Sequence, residues 1–173
     1  MSVKTELTDL TQVMEKLSSE AFVDKSKMSL FGASQGGVVA SLYAASYPDR
    51  VHKLLLIFPA FVLFDDAKET YRELGSPDFD QLPDSLTHHN ATLGKIYLID
   101  ALDIDIQAEQ AKITAQTLII HGTDDAVVPY QYAVQASQTI PNAELVTVEG
   151  GEHGIDERFA ITAAPAIQKF LKE

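Results

Sequence analysis

Hydrophobic residues near the start of the chain recur at spacings of three and four positions. This spacing places them on one face of an amphipathic helix. The residues concerned are Leu7, Leu10, Val13, Met14 and Leu17. The pattern therefore predicts a first helix that packs through this apolar face.

Four later stretches are short and mainly apolar, and each predicts a strand. They are KMSLFG (27–32), KLLLIF (53–58), TLIIHG (117–122) and AELVTV (143–148). The second and third are apolar on both faces. This is typical of buried parallel strands rather than of strands with one solvated face.

Helices are predicted between and after these strands. Residues 35–47 suit a closely packed helix that ends at Pro48. Residues 130–140 form a second candidate, and PAIQKFLK (165–172) closes the chain as a third, with Pro165 expected in its first turn. Strands that alternate with helices in this way predict an α/β domain with a parallel sheet.

Residues 60–115 break this alternation. They hold clusters of Asp, Pro, His and Asn and a short apolar stretch, but no convincing core strand. We predict that this segment, called the cap segment below, is an insertion above the sheet. The insertion would lie within a single domain of residues 1–173.

Composition and charge narrow the function classes. The 173 residues suffice for one domain with a substantial core. The formal net charge of −12 disfavours a nucleic-acid partner, because the phosphate backbone would be repelled. The chain contains no cysteine, which excludes disulfides and thiolate metal sites.

The apolar segments do not suggest a membrane protein. The first residues are polar and lack the apolar core of a secretory signal. The longest apolar run, residues 54–64, contains Pro59 and is too short to span a bilayer. We therefore expect a cytoplasmic protein with no membrane partner.

One serine lies in a setting that suits nucleophilic catalysis. Gly32-Ala33-Ser34-Gln35-Gly36 joins a predicted strand to a predicted helix. A Gly-x-Ser-x-Gly turn in this context holds the serine in a strained conformation above the sheet, and its small neighbours let other backbone pass close by. The alternative interpretation is a glycine-rich packing turn with an incidental serine.

A nucleophilic serine needs a base, and the base needs an orienting acid. Asp124 and Asp125 follow the predicted strand TLIIHG, and His153 follows AELVTV. Sites of open α/β sheets lie beyond the carboxyl ends of the strands. The chain order Ser, Asp, His is the order of the α/β-hydrolase arrangement.

These motifs resemble those of the serine α/β-hydrolases. The resemblance rests on GASQGG (32–37), HGTDDAVV (121–128) and GGEH (150–153). Within that superfamily, the whole chain resembles the small bacterial cinnamoyl (feruloyl) esterases, including the stretch TLGKIYLIDAL (92–102) of the cap segment. Those enzymes cleave esters of hydroxycinnamic acids under a compact cap.

The resemblance implies a role for each of these residues. Ser34 would be the nucleophile, and His153 the general base and then the general acid. Asp125 would orient the histidine, with Asp124 as the rival candidate. Gln35 would donate one oxyanion hydrogen bond through its backbone N–H. The chemistry needs no cofactor.

Two cap residues are candidates for substrate binding. The resemblance implies that Asp66 and Tyr97 meet the phenolic end of an aromatic acyl group. The alternative is that the aspartate is a solvated surface residue and the tyrosine an ordinary packing residue.

The remaining histidines suggest no further chemistry. His88 and His89 are adjacent in the cap segment, but no acidic or cysteine ligands are spaced for a metal site around them. His121 ends a predicted strand and is expected to pack and hydrogen-bond. His52 is expected in an exposed approach to a strand.

The resemblance also implies strands before KMSLFG that this chain lacks. The family's loop after the third of those strands would supply a second oxyanion donor. Without them the strand before Ser34 would lie at a sheet edge with unpaired backbone groups, which favours a homo-oligomer or a companion polypeptide.

Two classes of function remain open from the sequence. The first is a serine carboxylic ester hydrolase that forms an acyl-enzyme from hydroxycinnamate or short acyl esters. The same triad would serve a thioesterase or a serine peptidase, because it does not choose the leaving group. The second is a catalytically impaired remnant that is stable as an oligomer.

Overall fold

The computed structural model describes residues 1–88 and 91–172. Its strands are Ser29–Ala33 (β1), Lys53–Ile57 (β2), Ser85–His88 (β3), Ala91–Gly94 (β4), Gln116–Gly122 (β5) and Ala143–Val148 (β6). Four of them form a sheet in the order β1-β2-β5-β6, and every neighbouring pair is parallel. The four predicted core strands and the parallel sheet are confirmed.

Helices flank this sheet. They are Val3–Ser19 (α1), Gln35–Ser46 (α2), Leu63–Glu73 (α3), Lys95–Leu102 (α4), Ile106–Gln110 (α5), Gln131–Thr139 (α6) and Glu157–Lys172 (α7). The predicted helices over 35–47 and 130–140 are confirmed within a residue or two. Ser2 caps the start of helix α1, and its side chain and that of Thr5 form a capping box that satisfies N-terminal backbone donors.

The last helix begins earlier than predicted. Pro165 lies inside α7 and not in its first turn, so that prediction is wrong. The helix starts near Asp156, whose side chain accepts a hydrogen bond of 2.7 Å from the backbone N–H of Phe159. The proline is tolerated because it lies on the exposed side of the helix, where water can satisfy the carbonyl of Ile161.

The two central strands, β2 and β5, are buried on both faces, and alternate residues of β2 enter different hydrophobic clusters. Leu54 and Leu56 belong to the larger cluster, which includes α2 and parts of the cap segment. Leu55 and Ile57 belong to the smaller one, where they pack with Phe159 of α7. The two-residue repeat of a strand therefore explains why this stretch is apolar throughout.

Strand β1 forms one edge of the four-stranded sheet, as predicted. Among the described residues it pairs with β2 alone. Phe31 of β1 lies opposite Leu55 in register, yet 59% of its surface is exposed whereas Leu55 is buried. The edge therefore carries an uncovered aromatic ring beside the smaller cluster.

The cap segment lies between β2 and β5 in the chain. It holds α3, α4, α5 and the antiparallel pair β3–β4, and in the described ranges it adds no strand to the parallel sheet. Helices α3 and α4 contact each other. Of the paired histidines, His89 lies outside the described residues.

In the part of the chain that is described, no helix is long and apolar enough to cross a membrane.

Candidate active site

The turn between β1 and α2 holds Ser34 in a strained conformation. Its φ is 51° and its ψ is −127°, a region that residues with a side chain rarely occupy. The backbone N–H of Ser34 donates to the carbonyl of Ile57 across the sheet, at 3.0 Å. Gly32 is required here, because a Cβ at that position would come within 2.7 Å of the Cα of Gly37.

The three residues predicted to form a triad lie in hydrogen-bonding contact. The Nε2 atom of His153 is 3.1 Å from the Ser34 hydroxyl. Its Nδ1 atom is 2.7 Å from a carboxylate oxygen of Asp125. The rival acid, Asp124, is exposed and accepts a hydrogen bond from the hydroxyl of Thr123. The geometry therefore selects Asp125 as the partner of the histidine.

Backbone groups fix the Asp125 carboxylate. Its second oxygen accepts hydrogen bonds from the N–H groups of Val127 (2.9 Å) and Val128 (2.8 Å), and the residue is only 5% exposed. A carboxylate with one oxygen held in this way can present the other to His153. The orientation of the imidazole is thereby fixed by the segment that follows β5.

A second histidine, His121, contacts the same carboxylate. Its Nε2 atom lies 2.8 Å from the carbonyl oxygen of Val128 and 3.3 Å from Asp125 Oδ2. Because the carbonyl can only accept, Nε2 carries the proton. Burial lowers the pKa of His121 below its ordinary value of 6.5, so the ring is neutral at pH 7. The prediction that this residue packs and hydrogen-bonds is confirmed.

Sequence reasoning did not find Phe58, which packs against the candidate base. Its ring centroid lies 4.5 Å from that of His153 and 5.6 Å from that of Phe159. Phe58 has a φ of 36°, again in the region that favours glycine. Its position directly after an apolar strand and before Pro59 was the available signal, because strand ends are where such sites form.

Gln35 begins helix α2, directly after the serine. Its backbone N–H is therefore among the first-turn donors that have no intrahelical carbonyl, and it lies at the positive end of the helix dipole. The Gln35 side chain joins two other elements. Its Nε2 atom donates to both carboxylate oxygens of Glu6, each at 2.8 Å, and its Oε1 atom accepts from the Tyr97 hydroxyl at 2.8 Å.

A cavity of about 570 Å³ opens beside Ser34. Most of its lining is apolar, and its polar side chains include Gln35, Asp66 and Tyr97. The two cap residues predicted to bind substrate thus line the same cavity as the serine. Burial raises the pKa of Tyr97, and the charges of Glu6 and Asp66 raise it further.

Solved structures share this arrangement of elements. The structure of Est1E from Butyrivibrio proteoclasticus has a TM-score of 0.87 and 29% identity, over 99% of this chain and 70% of that one. A second structure of Est1E, with ferulic acid bound, has a TM-score of 0.86. The sheet, its helices and these likenesses establish the α/β-hydrolase fold.

Curated relatives match over shorter lengths. The putative carbamate hydrolase RutD of Stutzerimonas stutzeri is 37% identical over 70 residues, which are 40% of this chain and 26% of RutD. The AB hydrolase superfamily protein YisY of Bacillus subtilis is 28% identical over 158 residues, covering 72% of this chain and 59% of YisY. The chain thus spans less than two thirds of either relative.

The sequence model of the prolyl oligopeptidase family covers residues 3–173, which is nearly the whole chain. That match includes the strained serine turn and the segments that carry Asp125 and His153. The chain belongs to the prolyl oligopeptidase family, a group of hydrolases with the α/β-hydrolase fold.

Proposed function

We propose that this chain carries the catalytic site of a serine carboxylic ester hydrolase. The observation that supports this most directly is the hydrogen-bonded series from Ser34 through His153 to Asp125, with the serine lining a cavity. A serine hydroxyl in contact with a base that is itself oriented by a buried carboxylate is equipped for nucleophilic attack on a carbonyl.

The first half of the reaction forms an acyl-enzyme. The Ser34 oxygen attacks the ester carbonyl carbon while His153 Nε2 takes the hydroxyl proton. The negative charge that develops on the carbonyl oxygen is stabilised by the backbone N–H of Gln35 and by the N-terminus of α2. The imidazolium then protonates the leaving alkoxide as the carbon–oxygen bond breaks, which releases the alcohol.

The second half returns the enzyme to its starting state. Water attacks the acyl carbon and gives a proton to His153, and the carbonyl charge again lies near the Gln35 N–H. The tetrahedral intermediate collapses, the bond to Ser34 breaks, and the proton on the imidazole returns to the serine oxygen. The carboxylate of Asp125 stabilises the charged imidazole in both halves.

The acyl group we propose is a hydroxycinnamate or a short acyl chain. The apolar walls of the cavity suit an aromatic ring, and Asp66 and Tyr97 supply polar partners for a ring hydroxyl. The likeness to Est1E, whose structure with ferulic acid bound is similar to this chain, supports the same assignment. In this proposal the cap segment forms the acyl-binding side of the site.

Labelling with a fluorophosphonate tests the serine chemistry. We expect one adduct, located on Ser34 by mass spectrometry, and a burst of nitrophenolate from p-nitrophenyl acetate. Ser34→Ala should remove both signals while the far-ultraviolet circular dichroism stays unchanged. A protein that gives neither signal and elutes as an oligomer would instead be the catalytically impaired remnant.

Substrate kinetics test the acyl assignment. Methyl esters of 4-hydroxycinnamate and of unsubstituted cinnamate should be hydrolysed with different kcat/KM values, and Asp66→Ala should reduce that difference. Identical kinetics of Asp66→Ala and the wild type on both esters would refute a role for this carboxylate.

A serine peptidase of the same fold is the second candidate, and the family match supports it. The triad does not by itself distinguish an amide from an ester. A peptide p-nitroanilide with proline before the scissile bond separates the two candidates. Cleavage of this anilide faster than of any ester would favour the peptidase.

A further inference from the structure

We propose that Glu6 is a positioning residue for the cavity beside Ser34. Through Gln35 and Tyr97 it determines whether the polar end of that cavity accepts or donates hydrogen bonds. The cavity would then favour acyl groups that carry a hydrogen-bond donor, such as a phenolic hydroxyl, over their O-methylated counterparts. The inference rests on the proposed ester hydrolase function and identifies a specificity-determining residue outside the cavity.

The Glu6 carboxylate fixes the orientation of the Gln35 amide. Both carboxylate oxygens lie 2.8 Å from the Gln35 nitrogen. An ionised carboxylate only accepts hydrogen bonds, so the NH₂ group of the amide must face it. The opposite orientation would place the amide oxygen against a negative charge.

The amide orientation in turn fixes the direction of the Tyr97 hydroxyl. The Gln35 oxygen faces the tyrosine at 2.8 Å, and a carbonyl oxygen only accepts. The single proton of the phenol is therefore donated to Gln35. What Tyr97 offers to the cavity is the lone-pair side of its oxygen.

The polar end of the cavity thus presents acceptors. Tyr97 lines the cavity together with Asp66, whose carboxylate is also an acceptor. A phenolic hydroxyl can donate to either group, whereas a methoxy oxygen has no proton and would face acceptors. Net hydrogen-bond contributions of the usual size correspond to a preference of about three- to tenfold for the hydroxylated acyl group.

The helices that carry Glu6 and Tyr97, the two ends of this hydrogen-bonded series, are held together by other contacts. The buried Ser2 hydroxyl, at the start of α1, donates to the Asp100 carboxylate of α4. Lys4 of α1 forms an ion pair with Asp103 at the end of α4. These contacts tie the helix that carries Glu6 to the helix that carries Tyr97.

The Tyr97 hydroxyl stays protonated at pH 7. Burial raises the pKa of Tyr97 above its ordinary value, and the charges of Glu6 and Asp66 act in the same direction. The phenol is therefore neutral at pH 7 and remains a donor to Gln35.

A binding experiment on the Ser34→Ala protein tests the proposal without requiring turnover. Dissociation constants for methyl 4-hydroxycinnamate and methyl 4-methoxycinnamate are measured by calorimetry. We expect the hydroxy ester to bind more tightly. Adding Glu6→Ala should lower that preference by about three- to tenfold, because the freed amide can turn and let Tyr97 donate to the ligand. Glu15→Ala, an exposed acid on the same helix, is the matched control and should leave the preference unchanged.

A double-mutant cycle shows whether the effect passes through Tyr97. Tyr97→Phe should also lower the preference for the hydroxy ester, and Glu6→Ala should add nothing further in that background. An unchanged preference in Glu6→Ala would overturn the inference, as would an equal effect of Glu6→Ala with and without the tyrosine hydroxyl. These dissociation constants are measured on an inactive variant and do not depend on turnover. The proposed function is tested separately, and a wild-type protein that does not react with fluorophosphonate would refute it.

Discussion

The ring of Phe58 lies against the imidazole of His153, with 4.5 Å between the ring centroids. Phe58 adopts this position with a φ of 36°, an unfavourable value for a bulky residue. Its buried ring also contacts Phe159 of α7, which holds it in place. The strain at Phe58 is therefore part of how the candidate base is positioned.

Phe58→Leu should lower kcat more than it lowers affinity for an ester. The smaller side chain stays in the core but no longer supports the imidazole face, and the lost ring contact should reduce stability by about 0.5–1.5 kcal/mol. Urea denaturation and steady-state kinetics measure the two effects. Phe159→Leu is the control, since its ring packs on Phe58. An equal loss of kcat in both variants would indicate a general packing effect.

Ser34→Gly should be more stable than Ser34→Ala. Glycine relieves the strain of the positive φ, which is worth about 1–3 kcal/mol, although its greater freedom in the unfolded chain offsets part of this gain. Thermal and urea unfolding of the two inactive variants measure the difference. Equal stabilities would mean that the strain at Ser34 is no larger than the entropic cost of glycine, about 0.5–1 kcal/mol.

Asp125→Asn should lower kcat by a factor on the order of 10⁴. The asparagine oxygen can still accept from Val127 and Val128, but its NH₂ group would then face His153 and favour the wrong tautomer of the imidazole. Single-turnover kinetics with p-nitrophenyl acetate measure this loss. Asp124→Asn is the matched control and should retain kcat near the wild-type value, since that side chain is exposed. A larger loss in Asp124→Asn would reverse the assignment.

His121 should make the protein less stable as the pH falls below about 6.5. Its folded-state pKa lies below the ordinary value of 6.5, so the unfolded chain takes up a proton there that the folded protein does not. The stability contribution is complete above pH 6.5 and is lost as the pH falls towards the folded-state pKa. His121→Gln, whose amide can still donate to Val128, should have a shallower slope, by at most about 1.4 kcal/mol per pH unit. Urea titrations from pH 5 to 8 test this, and parallel slopes would refute it.

The open edge of β1 should cause self-association of this chain, through pairing with a second copy. Within residues 1–88 and 91–172 no strand pairs with the outer edge of β1, and this edge and the exposed Phe31 ring favour such contacts. Phe31→Lys should shift the sedimentation distribution towards the monomer, because a charge would have to be buried in the contact. Ile161→Lys, on the outer face of α7, is the control. A monomer at all concentrations before any substitution would contradict the prediction.

Much of the fold was predictable because uniformly apolar stretches of five or six residues mark buried parallel strands. The start of α7 was not predictable in the same way. The prediction followed the preference of proline for a first helical turn and not the helical spacing of Phe159, Ala163 and Ile167. In the structure, α7 extends over this whole apolar face, so the face and not the proline determines where the helix begins. An exposed proline costs such a helix one solvent-facing hydrogen bond and a steric conflict with the carbonyl of Ile161, and the apolar face outweighs both.

The candidate triad was predictable for a related reason. Ser34, Asp125 and His153 each follow a strand of the same parallel sheet, and the carboxyl ends of those strands lie together. Glu6 was not predictable, because its role arises from contacts with residues distant in sequence. The place of Phe58 at the end of an apolar strand indicated a site, but its contact with His153 could not be predicted from the sequence. A glutamate in the first turn of an amphipathic helix indicates only a favourable helix dipole interaction.

The Ser34 and His153 side chains that meet in the site are 119 positions apart in the chain. Between them lie the crossovers that order β2, β5 and β6, so their hydrogen bond forms only after the non-local pairings of the sheet. Such pairings are slow steps in folding. The recovery of fluorophosphonate reactivity after dilution from denaturant should therefore lag behind the recovery of helical circular dichroism, and its rate would report the final assembly of the sheet.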